Sequence, residues 1–226
     1  MHRNITTPDR RLQLTFLIHL HGVNLSEAGS AETTRKNKFL NLTRRNVTVF
    51  CGSKSGNNTQ FEADAALLGT ALAERGFDLV YGGGSKGIMG AIANSALAAG
   101  ANVTGIIPQV LIDWERQHQS LSEVLITKDM HERKKLLYEK GLAGIVLPGG
   151  FGTLDEMFEM LTWNQLSIHN KRIYILNSAG FYDHLIRHLE HLINKDFLYE
   201  PLWERIHAFD DPISLANALD KNLSNS

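Results

Sequence analysis

Residues 143–161 read AGIVLPGGFGTLDEMFEML. The apolar run Ala143–Leu147 meets Pro148, Gly149 and Gly150 and gives way to a stretch with helical spacing, Thr153–Leu166. A short apolar run bounded by Gly and Pro is the mark of a strand buried on both faces, as parallel sheets require. This one stretch therefore predicts strand, glycine-rich turn and helix, the unit from which α/β domains are built.

The same alternation runs outward in both directions. Upstream, Asn46–Cys51 (NVTVFC) is a β-branched run ending in Gly52-Ser53. Thr59–Arg75 places Phe61, Ala65, Leu68 and Leu72 at helical spacing and stops at Gly76. Phe77–Tyr81 is a second strand, broken by Gly82-Gly83-Gly84, and Gly87–Ala99 is a helix of small residues. Ala101–Ile107 is a third strand, Ser122–Thr127 another, and Met130–Lys140 a charged amphipathic helix. Downstream, strand Arg172–Leu176, helix Phe181–Asn194, the short strand Ile206–Phe209 and helix Ile213–Asn222 complete the series. Strands joined through helices imply a doubly wound, mostly parallel sheet with helices on both faces, a Rossmann-like single domain over residues 45–226. Residues 1–44 lack periodicity and read as a leader, flexible or loosely docked.

Composition narrows the function. Lys and Arg total 23 against 24 Asp and Glu, a net charge of −1. A nucleic-acid binder needs a basic excess, and an electrostatic membrane anchor needs a basic cluster; neither is expected here. The lone cysteine, Cys51, forbids an intrachain disulfide and fits a reducing cytoplasm. Two segments imitate membrane or export signals. No charge occurs from Gly87 to Ile112, but Asn94, Asn102, Pro108 and three glycines make it helix, turn and buried strand rather than a span. Leu12–Leu25 follows Arg3, Arg10 and Arg11 like a weak signal peptide, yet His19 and His21 interrupt it and Ala28–Ala31 is a poor cleavage site.

In such sheets ligands bind beyond the carboxyl ends of the strands, where the strand order reverses. Three glycine-rich turns fall there: Cys51-Gly52-Ser53, Gly82–Gly90 and Pro148–Thr153. The second satisfies G-x-G-x-x-G, but no acid ends the next strand to hold a ribose, and Asp113 is the first to follow. No Lys-Ser/Thr pair completes a P-loop either. NAD-dependent hydride transfer is thus disfavoured, and the glycines serve either close approach to a ligand or a tight turn. The third turn starts a helix whose free N–H groups and dipole favour an anion, most simply a phosphate, with Thr153 adding a hydroxyl. Glu156, about 4.5 Å further along the axis, would be repelled by that phosphate unless it had its own task, such as stabilising a cationic sugar. A plain helix start with Asp155 and Glu156 complementing the dipole gives the same residues. Arg133, Lys134 and Lys135 open the helix at Met130, where cations oppose the dipole. They call for a bound anion or a carboxylate partner, or else form a solvated face beside Glu132 and Glu139.

Met-His-x-Arg-Lys at 130–134 and Pro-Gly-Gly-x-Gly-Thr-x-x-Glu at 148–156 resemble the signature of the Lonely Guy (LOG) family. Those proteins are cytokinin riboside 5′-monophosphate phosphoribohydrolases, formerly labelled lysine decarboxylases. Cys51-Gly52-Ser53, Tyr81–Gly84, Gly87–Gly90 and Leu161–Leu166 match as well. The resemblance implies metal-free and cofactor-free hydrolysis of the N-glycosidic bond of AMP or an N6-modified AMP. It makes Arg133 and Glu156 the catalytic pair and gives the phosphate to Gly149, Gly150, Gly152 and Thr153. It also puts Ser53, Gly83, Gly84, Glu115, Met130, Lys134 and Thr162 on the substrate. It further implies a homodimer or higher homo-oligomer with the site near the interface. A non-catalytic nucleotide-binding or sensing module using the same crevice is the alternative. An amino-acid decarboxylase would need a pyridoxal-bearing lysine with a supporting acid, and no motif here provides one.

Other signals weigh less. His184, His188 and His191 share a helix face at metal-ligand spacing, but Leu185, Ile186, Leu189, Leu192 and Ile193 opposite make it an ordinary polar face. Trp163 and Trp203 are expected to pack rather than to stack on a ligand. Cys51 would need an activating His to act as a nucleophile.

Overall fold

The computed structural model describes residues 44–111, 118–198 and 202–224. Residues 1–43, the body of the expected leader, lie outside the described residues, as does Glu115. Seven strands are described: β1 (Arg45–Phe50), β2 (Phe77–Tyr81), β3 (Val103–Pro108), β4 (Glu123–Thr127), β5 (Gly144–Val146), β6 (Ile173–Leu176) and β7 (Ile206–Phe209). Six α-helices accompany them: α1 (Gln60–Glu74), α2 (Gly87–Ala98), α3 (Met130–Lys140), α4 (Phe151–Gln165), α5 (Asp183–Asn194) and α6 (Pro212–Ser224).

The strands form one sheet in the order β4-β3-β2-β1-β5-β6-β7, every neighbouring pair parallel. This is the doubly wound sheet expected from the alternation of apolar runs and helices. The period-2 geometry of a strand splits its side chains between two cores. Val47, Val49, Ile145, Leu147, Tyr174 and Leu176 pack on one face with α1, α2 and α6. Phe50, Val146, Ile173 and Ile175 pack on the other with α3, α4 and α5. Both faces are covered, so β2 and β5 are buried along their whole length. The uncharged stretch from Gly87 resolves into α2 and β3, and no described helix is long and apolar enough to cross a membrane.

The strand order reverses between β1 and β5. From β1 the chain winds outward through β2, β3 and β4; from β5 it winds the other way through β6 and β7. In doubly wound sheets such a reversal leaves a crevice at the carboxyl edge. One boundary differs from expectation in a way that matters. The helix after the glycine turn begins at Phe151 rather than Thr153, because Gly150 is extended (φ −97°, ψ −152°) and Gly152 enters the first turn. Thr153 and Glu156 are therefore already inside the helix, held at fixed angles about its axis.

Candidate active site

The crevice is built by locking two strand-exit loops together. The Gly52 N–H donates to the Pro148 carbonyl (3.0 Å), and the Leu147 N–H donates to that of Phe50 (2.9 Å). The Met89 N–H donates to the Gly52 carbonyl (3.2 Å), tying the start of α2 to the same loop. Tyr182 braces the floor by donating its hydroxyl to the Leu147 carbonyl (2.7 Å). The resulting cleft, about 510 Å³, is lined by Ser53 and Lys54 on one side and by Gly149, Gly150, Gly152 and Thr153 on the other.

The first turn of α4 faces this space. No side chain caps Gly150, so the dipole and the leading N–H groups of a helix of 15 residues are presented to the crevice. Thr153 is buried, and its hydroxyl lies so near Gly149 that a Cβ there would stand 2.1 Å from Oγ1. The glycine is thus required by close approach: any side chain would push Thr153 off the cradle.

Arg133 and Glu156 meet at the back of the cleft. Both line it, yet they are only 6% and 7% exposed. Arg133 Nη1 stands 3.5 Å from Glu156 Oε1, and Arg133 Nε donates to the Ile106 carbonyl (3.1 Å). Gly82 backs the guanidinium, since a Cβ there would fall 2.5 Å from Nη2. The guanidinium is therefore pinned from three sides, and it fixes the carboxylate that faces it. Burial strengthens this pairing, because little water competes for either charge.

The cations that open α3 find their partners on α4. Lys134 Nζ contacts Glu159 (2.8 Å) and Asp155 (3.2 Å), and the Tyr138 hydroxyl donates to Glu159 (2.7 Å). Burial alone would lower the pKa of Lys134, but its bonds to Glu159 and Asp155 outweigh burial and raise it. Asp129 caps α3 by accepting from the Glu132 N–H, and Glu132 accepts from the Lys128 N–H just ahead of that cap. The cationic helix start is thus answered by carboxylates across the α3–α4 contact. Lys135 keeps only a long, exposed contact to Glu139 (3.8 Å).

A family model described as "Possible lysine decarboxylase" matches residues 89–219. A probable cytokinin riboside 5′-monophosphate phosphoribohydrolase of Oryza sativa subsp. japonica is 49% identical over 62% of this chain and 63% of its own. A cytokinin riboside 5′-monophosphate phosphoribohydrolase of Arabidopsis thaliana is 44% identical over 68% of this chain and 72% of its own. The chain belongs to the LOG family. The match thus spans just under two thirds of the rice LOG relative. Among solved structures, the molybdenum cofactor carrier protein of Chlamydomonas reinhardtii shares this LOG chain's fold with a TM-score of 0.63 at 18% identity. That likeness covers 80% of this chain and 99% of the carrier.

Within the crevice, Ser53, Arg133, Gly149, Gly150, Gly152, Thr153 and Glu156 come together. Others stand apart from its lining. Gly83 packs against Ile107 and Gly84 against Met89, so these two shape the β2 exit. Lys134 is engaged by the α4 carboxylates, and Met130 is exposed at the start of α3. Thr162 donates its hydroxyl to the Phe158 carbonyl one turn back (2.8 Å) and faces a separate groove beside α5. Lys54, Phe61 and Phe181 line the crevice without having been singled out in the sequence. Lys54 lies one residue past the Gly52-Ser53 turn and was within reach of that reading. The edge-on pair Phe61–Phe181 (5.4 Å) joins residues 120 positions apart and has no local signature.

The discounted signals stay ordinary with one exception. Cys51 lines the crevice but is buried, and burial followed by the Glu156 charge pushes its thiol pKa far up, which keeps it protonated and inert. His184, His188 and His191 are exposed on α5, and no metal-binding cluster occurs among the described residues. Trp163 packs edge-on against Tyr138 (5.0 Å). Trp203, expected to pack, is 41% exposed, because the short turn that carries it buries Leu202 instead.

Proposed function

We propose that this LOG protein hydrolyses the N-glycosidic bond of a nucleoside 5′-monophosphate, AMP or an N6-modified AMP, to the free base and ribose 5-phosphate. The observation that carries the proposal is a buried arginine–carboxylate pair set one helical turn behind an uncapped, glycine-lined helix start in one crevice. The relatives named as cytokinin riboside 5′-monophosphate phosphoribohydrolases support it.

In this reading the backbone of Gly149–Thr153 and the Thr153 hydroxyl hold the 5′-phosphate, with Lys54 at the mouth of the cleft. The fixed phosphate sets the ribose over Glu156. As the C1′–N bond to the base breaks, positive charge grows on the sugar, and the Glu156 carboxylate stabilises it in a water-poor site. Glu156 also orients a water and takes its proton as the oxygen bonds to C1′; the departing base leaves with the bonding pair and takes a proton on nitrogen from solvent, to which Glu156 then returns its own. Arg133, pinned by Ile106 and Gly82, holds the carboxylate in place. Binding energy at the remote phosphate thereby positions the reacting carbon. Gly149→Ala is expected to raise KM for AMP at least tenfold with an unchanged circular dichroism spectrum, because its Cβ displaces Thr153.

Incubation with AMP, N6-isopentenyl AMP, GMP and CMP, followed by chromatography, tests the activity. Release of an adenine-type base with ribose 5-phosphate is expected. Intact nucleotide in every arm would leave the non-catalytic binding module. The decarboxylase description finds no motif in this chain for a pyridoxal-bearing lysine with a supporting acid.

We place the reaction in the cytoplasm, where a single buried thiol is at home, and in a homodimer built on α4. Phe151 and Phe158, two turns apart on one face of α4, are 94% and 38% exposed, and Leu166 and Ile168 extend the patch. Such a patch marks an interface. Phe151 also lines the crevice, so a partner seated there would cover the site. Phe158→Glu is expected to convert the dimer to monomer in sedimentation velocity.

A further inference from the structure

Two neighbouring cations on α3 face three carboxylates on α4. Arg133 and Lys134 are adjacent in the chain, as are Asp155 and Glu156, and Glu159 follows within one turn of Glu156. Asp155 and Glu159 stand four residues apart on their helix, a spacing at which like charges repel, and Glu156 shares that crowding at three residues from Glu159. The structure sorts these charges into two sets. Arg133 Nη1 is 3.5 Å from Glu156 Oε1, and both residues line the crevice. Lys134 Nζ is 2.8 Å from Glu159 Oε2 and 3.2 Å from Asp155 Oδ2, and none of these three belongs to the lining.

The second set is firmly held. The Lys134 side chain is only 15% exposed, so water screens its two contacts weakly. The Tyr138 hydroxyl, one turn along α3, donates to the same Glu159 Oε2 (2.7 Å). Burial first, then the bond to Glu159 and the charges of Glu159, Glu156 and Asp155, push the pKa of that hydroxyl far up, so it remains a donor. One phenol thus feels all three carboxylates, which places the two sets within electrostatic reach of each other. The Tyr138 ring is itself fixed edge-on against Phe50 (6.0 Å) and Trp163 (5.0 Å). Glu159 therefore takes two donors from α3, while Lys134 bridges two carboxylates of α4. Glu156 lies in the sequence between the two bridged positions, so the backbone that carries it is held from both sides. Lys135 is no substitute for Lys134, since its ammonium is exposed and makes only the 3.8 Å contact to Glu139 on its own helix.

We propose that Lys134 is a positioning residue for the hydrolysis: it neutralises Asp155 and Glu159 and fixes α4 on α3, so that the Arg133 guanidinium is left to Glu156 and the carboxylate keeps its place under the ribose. Without Lys134 the charges of Asp155 and Glu159 go unanswered and compete with Glu156 for Arg133. The inference rests on the hydrolytic reading of the crevice. It departs from the substrate contact that the LOG resemblance gives this lysine, because Nζ is engaged by α4.

The test is base release from AMP, followed by chromatography over a range of AMP concentrations. The full chain is compared with Lys134→Met, Lys134→Arg, Glu159→Gln, Lys134→Glu and the exchange Lys134→Glu with Glu159→Lys. Lys134→Met is expected to lower kcat about tenfold and to change KM less than about twofold, because a displaced carboxylate is felt in the transition state rather than in nucleotide binding. Glu159→Gln should lower kcat in the same way, although Glu159 does not line the crevice. Lys134→Arg keeps a cation between the carboxylates and should retain most of kcat. The exchange should recover kcat lost in Lys134→Glu, since it rebuilds the pair with its charges reversed. A KM that rises while kcat holds returns Lys134 to the substrate. That result, an unaltered Glu159→Gln, or an exchange no more active than Lys134→Glu overturns the proposal. A second measurement is independent of turnover: the Arg133–Glu156 coupling, read from denaturant melts of Arg133→Ala, Glu156→Gln and their double variant, should weaken when Lys134→Met is added. If the parent chain releases no base, the hydrolytic reading fails by itself, and a coupling indifferent to Lys134→Met overturns the positioning role.

Discussion

Glu156→Gln is expected to lower the rate of base release from AMP by about three orders of magnitude, the scale seen when a fixed group facing developing transition-state charge is removed. Glutamine keeps the shape of glutamate and one acceptor oxygen, so Arg133 still faces an oxygen, keeps its bond to the Ile106 carbonyl and leaves the helix start untouched. What disappears is the negative charge that answers the cationic sugar, together with the base that accepts the proton of water. The phosphate cradle lies a turn away, on backbone and on Thr153, so nucleotide should still bind. The readouts are chromatography of released adenine under saturating AMP and nucleotide protection in a thermal melt. A variant that binds AMP but does not turn it over places Glu156 in the chemistry. Base release at the parental rate would falsify the assignment of Glu156, and loss of binding would move it into the cradle instead.

That Glu156 stands out in the sequence at all follows from locality. A strand, a glycine turn and a helix are set by neighbours in the chain, so the cradle and the acid one turn behind it are legible from residues 143–161. The same holds for β2, α3 and β7, whose limits in the structure are those read from Phe77–Tyr81, Met130–Lys140 and Ile206–Phe209. What pattern alone leaves open is pairing across the chain. The cations Arg133 and Lys134 signal a need for an anion, since they oppose the dipole of α3, but a bound ligand and a carboxylate satisfy that need equally. Only the contact of α3 with α4 shows that Arg133 faces Glu156 in the crevice while Lys134 is spent on Asp155 and Glu159 beside it. The glycines of the β2 exit were legible as close approaches, but not that the approach at Gly82 is to a guanidinium rather than to a ligand.

Arg133→Ala is expected to damage both stability and turnover, and the comparison with Glu156→Gln separates the two roles of the pair. Breaking a buried ion pair by removing one partner costs about 3–5 kcal/mol, because the remaining charge stays desolvated without compensation. Arg133 and Glu156 side chains are 7% and 10% exposed, so solvent offers little relief. The variant also leaves a void beside Gly82 and strands the Ile106 carbonyl that accepted from Nε. Turnover should fall at least about a hundredfold, as expected when a catalytic group is no longer held in its productive geometry. If Arg133 acts mainly by holding the carboxylate, the double variant Arg133→Ala, Glu156→Gln should recover part of the lost stability, because no uncompensated charge remains, while staying as inactive as Glu156→Gln alone. Denaturant melts and AMP turnover on the four proteins of the cycle give the coupling directly. Additive stability losses would mean that the 3.5 Å contact carries no energy, and Arg133 would then belong to the leaving base rather than to Glu156.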